Sequence, residues 1–443
     1  MIGIVMFAAA LLMLTVGYPV AFTFGSVSIF FGILAAIVEL TPDFAIIAVS
    51  EEFFQMFSMM PFRIYSIMNN TILMAIPMFI FMGIILQKSE LAERLLEAMG
   101  TLFGKVRGGV AVSTVLVGAL LAASTGVVGA SVVAMGVISL PVMLKYGYSK
   151  KLATGTICAA GTLGQIIPPS IVLIILGDVF QVPVGDLFQA AVGPGLILVV
   201  LYVLYILILA YINKEVAPAL PVQEGSRAGN IKRALLAIIP PLTLIVLVLG
   251  SIFAGVATPT ESASVGSVGA MVLAAMYRKL SWRIIEEASL ETVKITAMVF
   301  AILIGATAFS MVFVYSGADY IVEDALTNLP GQKWTFLLLS MLAIMLLGFF
   351  IDFIEISYIV VPILLPIADI IGINPLWFAI LIAMNLQTSF LTPPFGFSLF
   401  YLKGVCPPEV RTVDLYRGVI PFIIIQMLVL FSIVVFPGFY GFS

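Results

Sequence analysis

Two apolar segments of this chain are each interrupted by a pair of adjacent prolines, and the two interruptions share one sequence register. Pro168 and Pro169 lie 225 positions before Pro393 and Pro394. The same offset relates two further pairs, Pro141 with Pro366 and Pro183 with Pro408. Because proline interrupts a helix, the chain is predicted to hold one broken helix in each of two sequence repeats. Matching broken helices in two halves are typical of the substrate site of a secondary transporter.

The composition of the chain is that of a membrane protein. The chain has 443 residues, of which 62% are hydrophobic and only 10% charged, too few polar groups to cover a soluble domain of this size. At ~20 residues per span, the apolar stretches allow roughly ten to twelve crossings or equivalents. We therefore expect an all-α polytopic protein whose main partner is the lipid bilayer, with no nucleic-acid partner.

Residues that would support enzymatic chemistry are scarce. The sequence has no histidine, which excludes histidine proton relays, zinc proteases and serine–histidine hydrolysis. Cys158 and Cys406 are too few for a disulfide framework or a metal site. Asp178 and Asp186 follow Leu-Gly and Val-Gly, so they lack the Gly-x-Gly-Asp pattern of intramembrane aspartyl enzymes. No repeated pore loop suggests a channel filter. We expect neither an enzyme nor a bound cofactor.

The apolar pattern divides the chain into two repeats, 1–213 and 234–443, joined by a cytoplasmic linker, 214–233. The first repeat is predicted to contain scaffold helices over 1–107 (with a span at 66–87 and an amphipathic arm helix at 88–107), a hairpin at 108–144, a broken helix at 150–180 and a span at 186–213. The second is predicted to contain scaffold helices over 234–315 (an arm helix at 281–294 and a span at 295–315), an acidic loop at 317–333, a hairpin at 334–368, a broken helix at 374–402 and a span at 418–438.

The distribution of basic residues predicts that the two repeats are inverted. Loop 88–107 contains four Lys or Arg residues, whereas its counterpart 317–333 contains only Lys333 beside three acidic residues. Cytoplasmic loops carry the excess of Lys and Arg. This places 88–107, the linker and Arg278-Lys279 in the cytoplasm, and the carboxy terminus outside.

Segment 108–144 is predicted to be a re-entrant hairpin. Both of its ends adjoin basic residues, and its 37 residues leave about 18 per arm, or roughly 27 Å against a hydrocarbon core of ~30 Å. The tip would fall at Ser124, Thr125 and Gly126. The alternative is two short full spans joined by a Ser/Thr turn.

The second hairpin is predicted to turn near Asp352 and Glu355. A carboxylate at membrane depth costs ~2.5 kcal/mol or more, so Asp352 is expected to meet a cation or a water-filled cavity. Glu355 either belongs to the same site or is an interfacial residue that reaches water.

These residues favour sodium as the coupling ion, because a small hard cation prefers several oxygen ligands and broken helices supply carbonyls. The candidate sodium ligands are Ser124, Thr125 and Gly126 facing Gly161, Thr162 and Gly164, and Asp352 facing Thr388, Ser389 and Thr392. The candidate substrate region comprises Ser124, Pro168, Pro169, Ser170, Pro393 and Pro394. The alternative for each hydroxyl is a hydrogen bond back to a carbonyl of its own helix, or packing between helices.

The motif Ala257-Thr-Pro-Thr-Glu261 opens an apolar span. Its acid lacks a counterpart at Val20 and Ala21 of the first repeat. We therefore expect Glu261 to cap a helix or support the scaffold rather than to act in transport.

The chain resembles the large membrane subunit of tripartite ATP-independent periplasmic (TRAP) transporters over essentially its whole length. The motifs that carry the resemblance are Gly17-Tyr-Pro-Val-Ala21, Ala75-Ile-Pro-Met-Phe79, Gly126 through Pro141, Gly164-Gln-Ile-Ile-Pro-Pro169, Ala257-Thr-Pro-Thr-Glu261 and Leu391-Thr-Pro-Pro-Phe-Gly396.

The resemblance implies an elevator-type carrier of the ion transporter superfamily fold, with sodium sites at the hairpin tips and broken helices. It also implies a small four-helix membrane subunit, a periplasmic substrate-binding protein, and import of a small organic anion such as a carboxylate or sulfonate across a bacterial or archaeal cytoplasmic membrane. A stand-alone divalent anion/sodium symporter, which needs no binding protein, is the alternative.

Overall fold

A computed structural model describes residues 1–39, 46–103, 106–125, 128–220 and 227–442, which form helices without any β-strand. The α-helices are α1 Ile2–Val16, α2 Val20–Glu39, α3 Ile46–Met56, α4 Met60–Met68, α5 Ala75–Lys88, α6 Leu91–Phe103, α7 Gly109–Thr125, α8 Val128–Lys145, α9 Lys150–Thr162, α10 Ile171–Phe180, α11 Val184–Ile212, α12 Arg227–Phe253, α13 Pro259–Met276, α14 Trp282–Tyr315, α15 Ala318–Thr327, α16 Gln332–Leu347, α17 Phe353–Glu355, α18 Val361–Ile370, α19 Pro375–Leu391, α20 Phe397–Val405 and α21 Thr412–Val435. Short 3₁₀ turns lie at Leu163–Gln165 and Pro437–Tyr440, and a π-helical turn at Ile356–Val360.

By length and composition, seven helical segments of the described chain can cross a membrane. They are Val20–Glu39, Val128–Lys145, Val184–Ile212, Ala234–Phe253, Trp282–Tyr315, Phe353–Ile370 and Thr412–Val435. Shorter apolar helices are also present. Among them, Ile171–Phe180 follows the first double proline and Pro375–Leu391 precedes the second. The expectation of an all-α, multi-span membrane protein is thus confirmed.

The chain forms two compact units, and each unit takes segments from both sequence halves. Unit 1 comprises Met1–Leu73 and Val293–Pro375, and unit 2 comprises Met74–Thr292 and Leu376–Ser443. The sequence repeats 1–213 and 234–443 therefore do not coincide with the two compact units. The opposite orientation of the repeats in the membrane stays a prediction.

Unit 1 is built around α2 and the second part of α14. The ring of Phe24 on α2 meets the ring of Phe309 on α14 edge to face, with centroids 5.1 Å apart. The Tyr315 hydroxyl at the end of α14 donates a hydrogen bond to Glu52 of α3. The hairpin arms α16 to α18 belong to this unit.

Unit 2 is built around α9, which is buried continuously from Leu152 to Thr162. This helix packs against α7, α8 and α21. In the same unit α5 packs against α13, where the Ser267 hydroxyl donates to the carbonyl of Met78 at 2.8 Å. The two interrupted helices described below lie in this unit.

Helix bounds recur with the sequence offset. Helix α8 spans 128–145, and a shift of 225 residues gives 353–370, the bounds of the segment formed by α17, the π turn and α18. Helix α9 begins at Lys150 and α19 at Pro375, which are also 225 residues apart. The sequence repeat is therefore also a repeat of local structure.

Three segments differ from the sequence-based expectations. The arm helix expected at 281–294 and the span at 295–315 form one continuous helix, α14, because neither glycine nor proline occurs between Trp282 and Ile304. The expected span 66–87 is broken before α5, where the Asn70 side chain accepts a hydrogen bond from the Ile72 backbone at 2.9 Å and forms a local turn. The acidic loop 317–333 contains a helix, α15.

The amino terminus of α13 carries a capping box. The Thr258 hydroxyl accepts from the Glu261 backbone N–H at 3.3 Å, and the Glu261 carboxylate accepts from the Thr258 backbone N–H at 2.8 Å. Each side chain thus satisfies a donor that the helix leaves free. The expected capping role of Glu261 is confirmed.

Replacement of Thr258 by alanine is expected to destabilise the protein by about 1 kcal/mol, because an N-cap hydroxyl is lost. Differential scanning fluorimetry of the purified protein should show a melting temperature lowered by about 1 °C. Glu261→Gln should stay near the wild-type value, since glutamine also completes a capping box. Ser264→Ala is the matched control, because its exposed hydroxyl only bonds back to Thr260. Equal melting temperatures for Thr258→Ala and Ser264→Ala would contradict the capping role.

Candidate functional site

The first broken helix joins α9 to α10. Helix α9 ends at Thr162, a 3₁₀ turn follows to Gln165, and α10 begins at Ile171. The peptide bond between Pro168 and Pro169 is cis. Across the gap, the buried Ser170 hydroxyl donates to the backbone carbonyl of Gln165 at 2.8 Å. This bond ties the two ends of the break together inside unit 2.

The end of α9 lies against both arms of the first hairpin. A Cβ atom added to Gly161 would overlap the side chain of Val132 on α8, whose Cα it would approach to 3.1 Å. A Cβ on Gly164 would come within 2.9 Å of the carbonyl oxygen of Ala122 on α7. Such close backbone approaches require residues without a side chain. The two glycines therefore allow the end of α9 and the turn after it to pack closely between α7 and α8.

This packing places Gly161 beside α8 and Gly164 beside α7, close to the predicted tip of the first hairpin. Ala122 precedes the predicted hairpin tip by two residues, and α7 ends at Thr125 while α8 begins at Val128. The side chains of Ser124 and Thr125 and the whole of Gly126 lie outside the described residues. Their proposed contacts with Gly161, Thr162 and Gly164 stay a prediction.

The second broken helix joins α19 to α20, and it too lies in unit 2. Helix α19 ends at Leu391, α20 begins at Phe397, and the peptide bond between Pro393 and Pro394 is cis. The buried Ser398 hydroxyl donates across the gap to the carbonyl of Phe390 at 2.7 Å. In both breaks a serine hydroxyl thus bonds a carbonyl before the double proline, and these carbonyls, at 165 and 390, keep the 225-residue offset.

Four candidate hydroxyl ligands have described side chains, and each donates to a backbone carbonyl three or four residues earlier, the alternative that the sequence left open. The bonds are Thr162 to Ala159 at 2.9 Å, Thr388 to Met384 at 2.9 Å, Ser389 to Leu386 at 2.8 Å and Thr392 to Thr388 at 2.7 Å. A hydroxyl that donates one hydrogen bond keeps its oxygen lone pairs. Back-bonding therefore orients these oxygens without excluding a cation.

The candidate carboxylates lie in unit 1, at the interruption between α16 and α17. Asp352 is the N-cap of α17, and its carboxylate accepts from the Phe353 backbone N–H at 2.7 Å. Glu355 is only 2% exposed, so its side chain does not reach water as an interfacial residue would. Thr388, Ser389 and Thr392 belong to unit 2, and their convergence with Asp352 stays a prediction.

Sequence reasoning missed two glutamines at the breaks. Gln165 and Gln387 are fully buried. The Gln387 amide lies at the Tyr202 hydroxyl, whereas the Gln165 amide has no hydrogen-bond partner among the described residues. An amide in an otherwise apolar segment was the available signal, because an unpaired buried polar group is costly. Gln165 is therefore a candidate participant in binding at the first break.

The two helix breaks in unit 2 offer neutral oxygen atoms, from hydroxyls and backbone carbonyls, as possible ligands. The described residues contain no group of three His, Cys, Asp or Glu side chains that could hold a metal ion. Hydroxyls and the backbone carbonyls of interrupted helices suit a hard monovalent cation, and irregular backbone is tolerated at membrane depth where protein covers it. The arrangement suits reversible ion and solute binding.

Comparison with known proteins identifies relatives of this chain. Residues 6–439 match the family "Tripartite ATP-independent periplasmic transporter, DctM component". The C4-dicarboxylate TRAP transporter large permease protein DctM of Pseudomonas aeruginosa is 31% identical over 85% of this chain and 87% of its own length. The sialic acid TRAP transporter large permease protein SiaM of Vibrio cholerae is 28% identical over 84% of this chain and 86% of its own.

A solved structure shares the fold. The crystal structure of the Alcanivorax borkumensis YdaH transporter superposes with a TM-score of 0.61 at 16% identity, and covers 88% of this chain and 90% of that one. At this identity the likeness concerns the fold alone. The family match over nearly the whole sequence, together with relatives of similar length, confirms the resemblance seen in the motifs: the chain belongs to the DctM component family of tripartite ATP-independent periplasmic transporters.

Proposed function

We propose that this chain imports a small organic acid, a carboxylate or sulfonate, by secondary transport coupled to the inward sodium gradient. The observation that carries the proposal is the seating of Gly161 and Gly164 between the arms α7 and α8. It puts the interrupted backbone after α9 beside the arms of the predicted hairpin, and interrupted backbone of this kind binds ions in carriers with broken helices. Helix amino termini released by the breaks would attract an anionic substrate.

We propose an elevator mechanism, in which the helices around the site move as one body. The dense packing of α7, α8 and α21 around the buried helix α9 supports this idea. A close-packed interior transmits displacement rather than absorbing it, so these helices would carry the site across the membrane together.

The proposed partners are a small four-helix membrane subunit and a periplasmic substrate-binding protein. The relatives named as C4-dicarboxylate and sialic acid permeases belong to TRAP transporters and differ in the acid they carry. We propose that the substrate is chosen largely by the binding protein. We propose the cytoplasmic membrane of a bacterium or archaeon as the location, with the carboxy terminus in the periplasm.

Uptake into proteoliposomes tests the proposal. The vesicles should contain this chain and its small partner subunit, with or without the binding protein encoded beside it, whose bound ligand is identified first. Uptake of that ligand is expected only when the binding protein and an inward sodium gradient are both present. Vesicles with an imposed proton gradient and no sodium are the matched control.

Two results would contradict the proposal in different ways. Sodium-driven uptake without any binding protein would favour the stand-alone symporter mode. Uptake driven by the proton gradient alone would reject sodium coupling and the candidate sodium ligands with it.

A further inference from the structure

The chain makes a local turn directly after α11, before the second repeat begins. Helix α11 ends at Ile212, and the Asn213 side chain accepts a hydrogen bond from the Glu215 backbone N–H at 3.2 Å. The Asn213 carbonyl accepts from the Val216 N–H at 3.3 Å. Asparagine favours such turns because its side chain bonds the backbone two residues later. The residues that follow this turn contact the base of the hairpin formed by α7 and α8.

Two adjacent carbonyls of this linker bind the two ends of the hairpin. The Ala217 carbonyl accepts from the Gly108 N–H at 3.0 Å, immediately before α7. The Val216 carbonyl accepts from the Ser149 N–H at 2.9 Å, between α8 and α9. Ala217 is fully buried although it lies outside any helix. One short segment, residues 216 and 217, thus joins both ends of the hairpin and is named the linker strap below.

A side chain at the end of the hairpin adds a third hydrogen bond at the base. The hydroxyl of the buried Tyr148 accepts from the Val110 backbone N–H at 3.3 Å. Val110 is the second residue of α7, and the first N–H groups of a helix have no partner inside it. Tyr148 therefore ties the loop after α8 directly to the start of α7. At the 225-residue offset its counterpart is Ile373, which has no hydroxyl.

The base of the hairpin also packs against α11 and against the linker. Gly108 has φ = +78°, a conformation that glycine adopts at no steric cost. A Cβ atom added there would lie 3.1 Å from the Cβ of Ala210 and 3.2 Å from a methyl group of Ile206, both on α11. At the other end of the hairpin, a Cβ on Gly147 would lie 3.8 Å from the Pro218 ring. Both ends are therefore held by packing as well as by hydrogen bonds.

We propose that the linker strap and Tyr148 hold the base of the first hairpin closed, so that the ends of α7 and α8 stay together throughout the transport cycle. The backbone N–H groups of Gly108, Val110 and Ser149 take their partners from these residues. Separating the ends of the hairpin would leave all three donors without those partners, which buried backbone groups rarely tolerate. The hairpin would be held in this way whichever ion or solute the chain carries.

Hydrogen–deuterium exchange of the full chain, read by mass spectrometry with fragmentation to single residues, tests the strap. In the wild type, the Gly108 and Ser149 amides are expected to exchange about a hundredfold more slowly than exposed amides. Ala217→Asp puts a charge at a buried position and should displace the strap, which makes both amides exchange about tenfold faster. Ala219→Asp is the matched control, because Ala219 is exposed in the same linker.

Two results would overturn the strap. One is equal exchange of the Gly108 and Ser149 amides in Ala217→Asp and Ala219→Asp. The other is exchange of these amides in the wild type as fast as that of exposed amides. The second result needs no variant, so the proposal stays falsifiable even if Ala217→Asp fails to fold.

The tyrosine is tested by removal of its hydroxyl alone. Tyr148→Phe is expected to speed exchange of the Val110 amide about tenfold, because one hydrogen bond is lost. Tyr146→Phe is the matched control, since Tyr146 lies two residues away and is partly exposed; it should leave Val110 unchanged. Identical Val110 exchange in the two variants would overturn the role of Tyr148.

Spin labels across the base test whether it stays closed. The labels are placed at Arg107→Cys and Lys145→Cys, both exposed positions, in a chain that carries Cys406→Ser and keeps the buried Cys158. Double electron–electron resonance is expected to give one distance distribution that is the same with and without sodium, and a broader one when Ala217→Asp is added. A second, longer distance in the protein without Ala217→Asp, in either condition, would overturn the proposal.

Discussion

Replacement of Gly155 by alanine is expected to cause a severe loss of folded protein. A Cβ atom at this position of α9 would overlap the carbonyl group of Gly418 on α21 and lie 3.1 Å from its Cα. Both partners are backbone, so no side chain can rotate away and the two helices must separate. Overpacking costs about 1–3 kcal/mol or more, and here the upper end applies because α9 is buried on every side.

The measurement is the yield of monodisperse protein in detergent and its melting temperature. Gly250→Ala is the matched control, since that glycine also lies inside a helix, α12, but a Cβ there would meet nothing within 4 Å. The control is expected to fold like the wild type. If Gly155→Ala were as stable as Gly250→Ala, α9 and α21 would not be in close backbone contact.

Local structure was predictable where the backbone chemistry is encoded in a few adjacent residues. The double prolines marked both helix breaks, because proline removes a donor and disfavours helix for the residue before it. The Thr258 and Glu261 pair marked the start of α13, because a capping box needs only two side chains three residues apart. Prediction succeeded where a rule operates within one turn of helix.

Prediction failed where charge was used in place of backbone chemistry. The change from charged to apolar residues near Lys294 suggested a boundary inside α14, yet it marks only a change of surroundings along one continuous helix. The acidic residues after Gly317 suggested a loop, but they occupy a helix, α15. Charge reports exposure to water and does not by itself end a helix.

The tertiary features could not be read from the sequence at all. The close approach of Gly155 to Gly418 joins residues more than half the chain apart. The two compact units combine segments of both halves. Such contacts depend on how the helices assemble, and no periodic pattern within one helix records that.

Replacement of Asp352 by asparagine is expected to abolish sodium-driven uptake under conditions where the wild type is active. If the proposed site is correct, this carboxylate supplies the charge that binds a cation in the second half, and the isosteric amide removes the charge. Asparagine is as good an N-cap as aspartate, so the hydrogen bond to the Phe353 N–H and the start of α17 should persist. Loss of transport would then report loss of charge rather than loss of fold.

Two readouts separate these causes. Sodium that binds only the folded state raises the melting temperature in proportion to the logarithm of its concentration above the dissociation constant. This shift should be smaller in Asp352→Asn than in the wild type. The melting temperature without sodium should be the same in both proteins. Asp369→Asn is the matched control, because that carboxylate lies on α18 of the same hairpin but is exposed; its uptake and sodium shift should be unchanged. An Asp352→Asn protein with wild-type uptake and wild-type sodium dependence would remove Asp352 from the ion site and leave the oxygens of the first break as the remaining candidates.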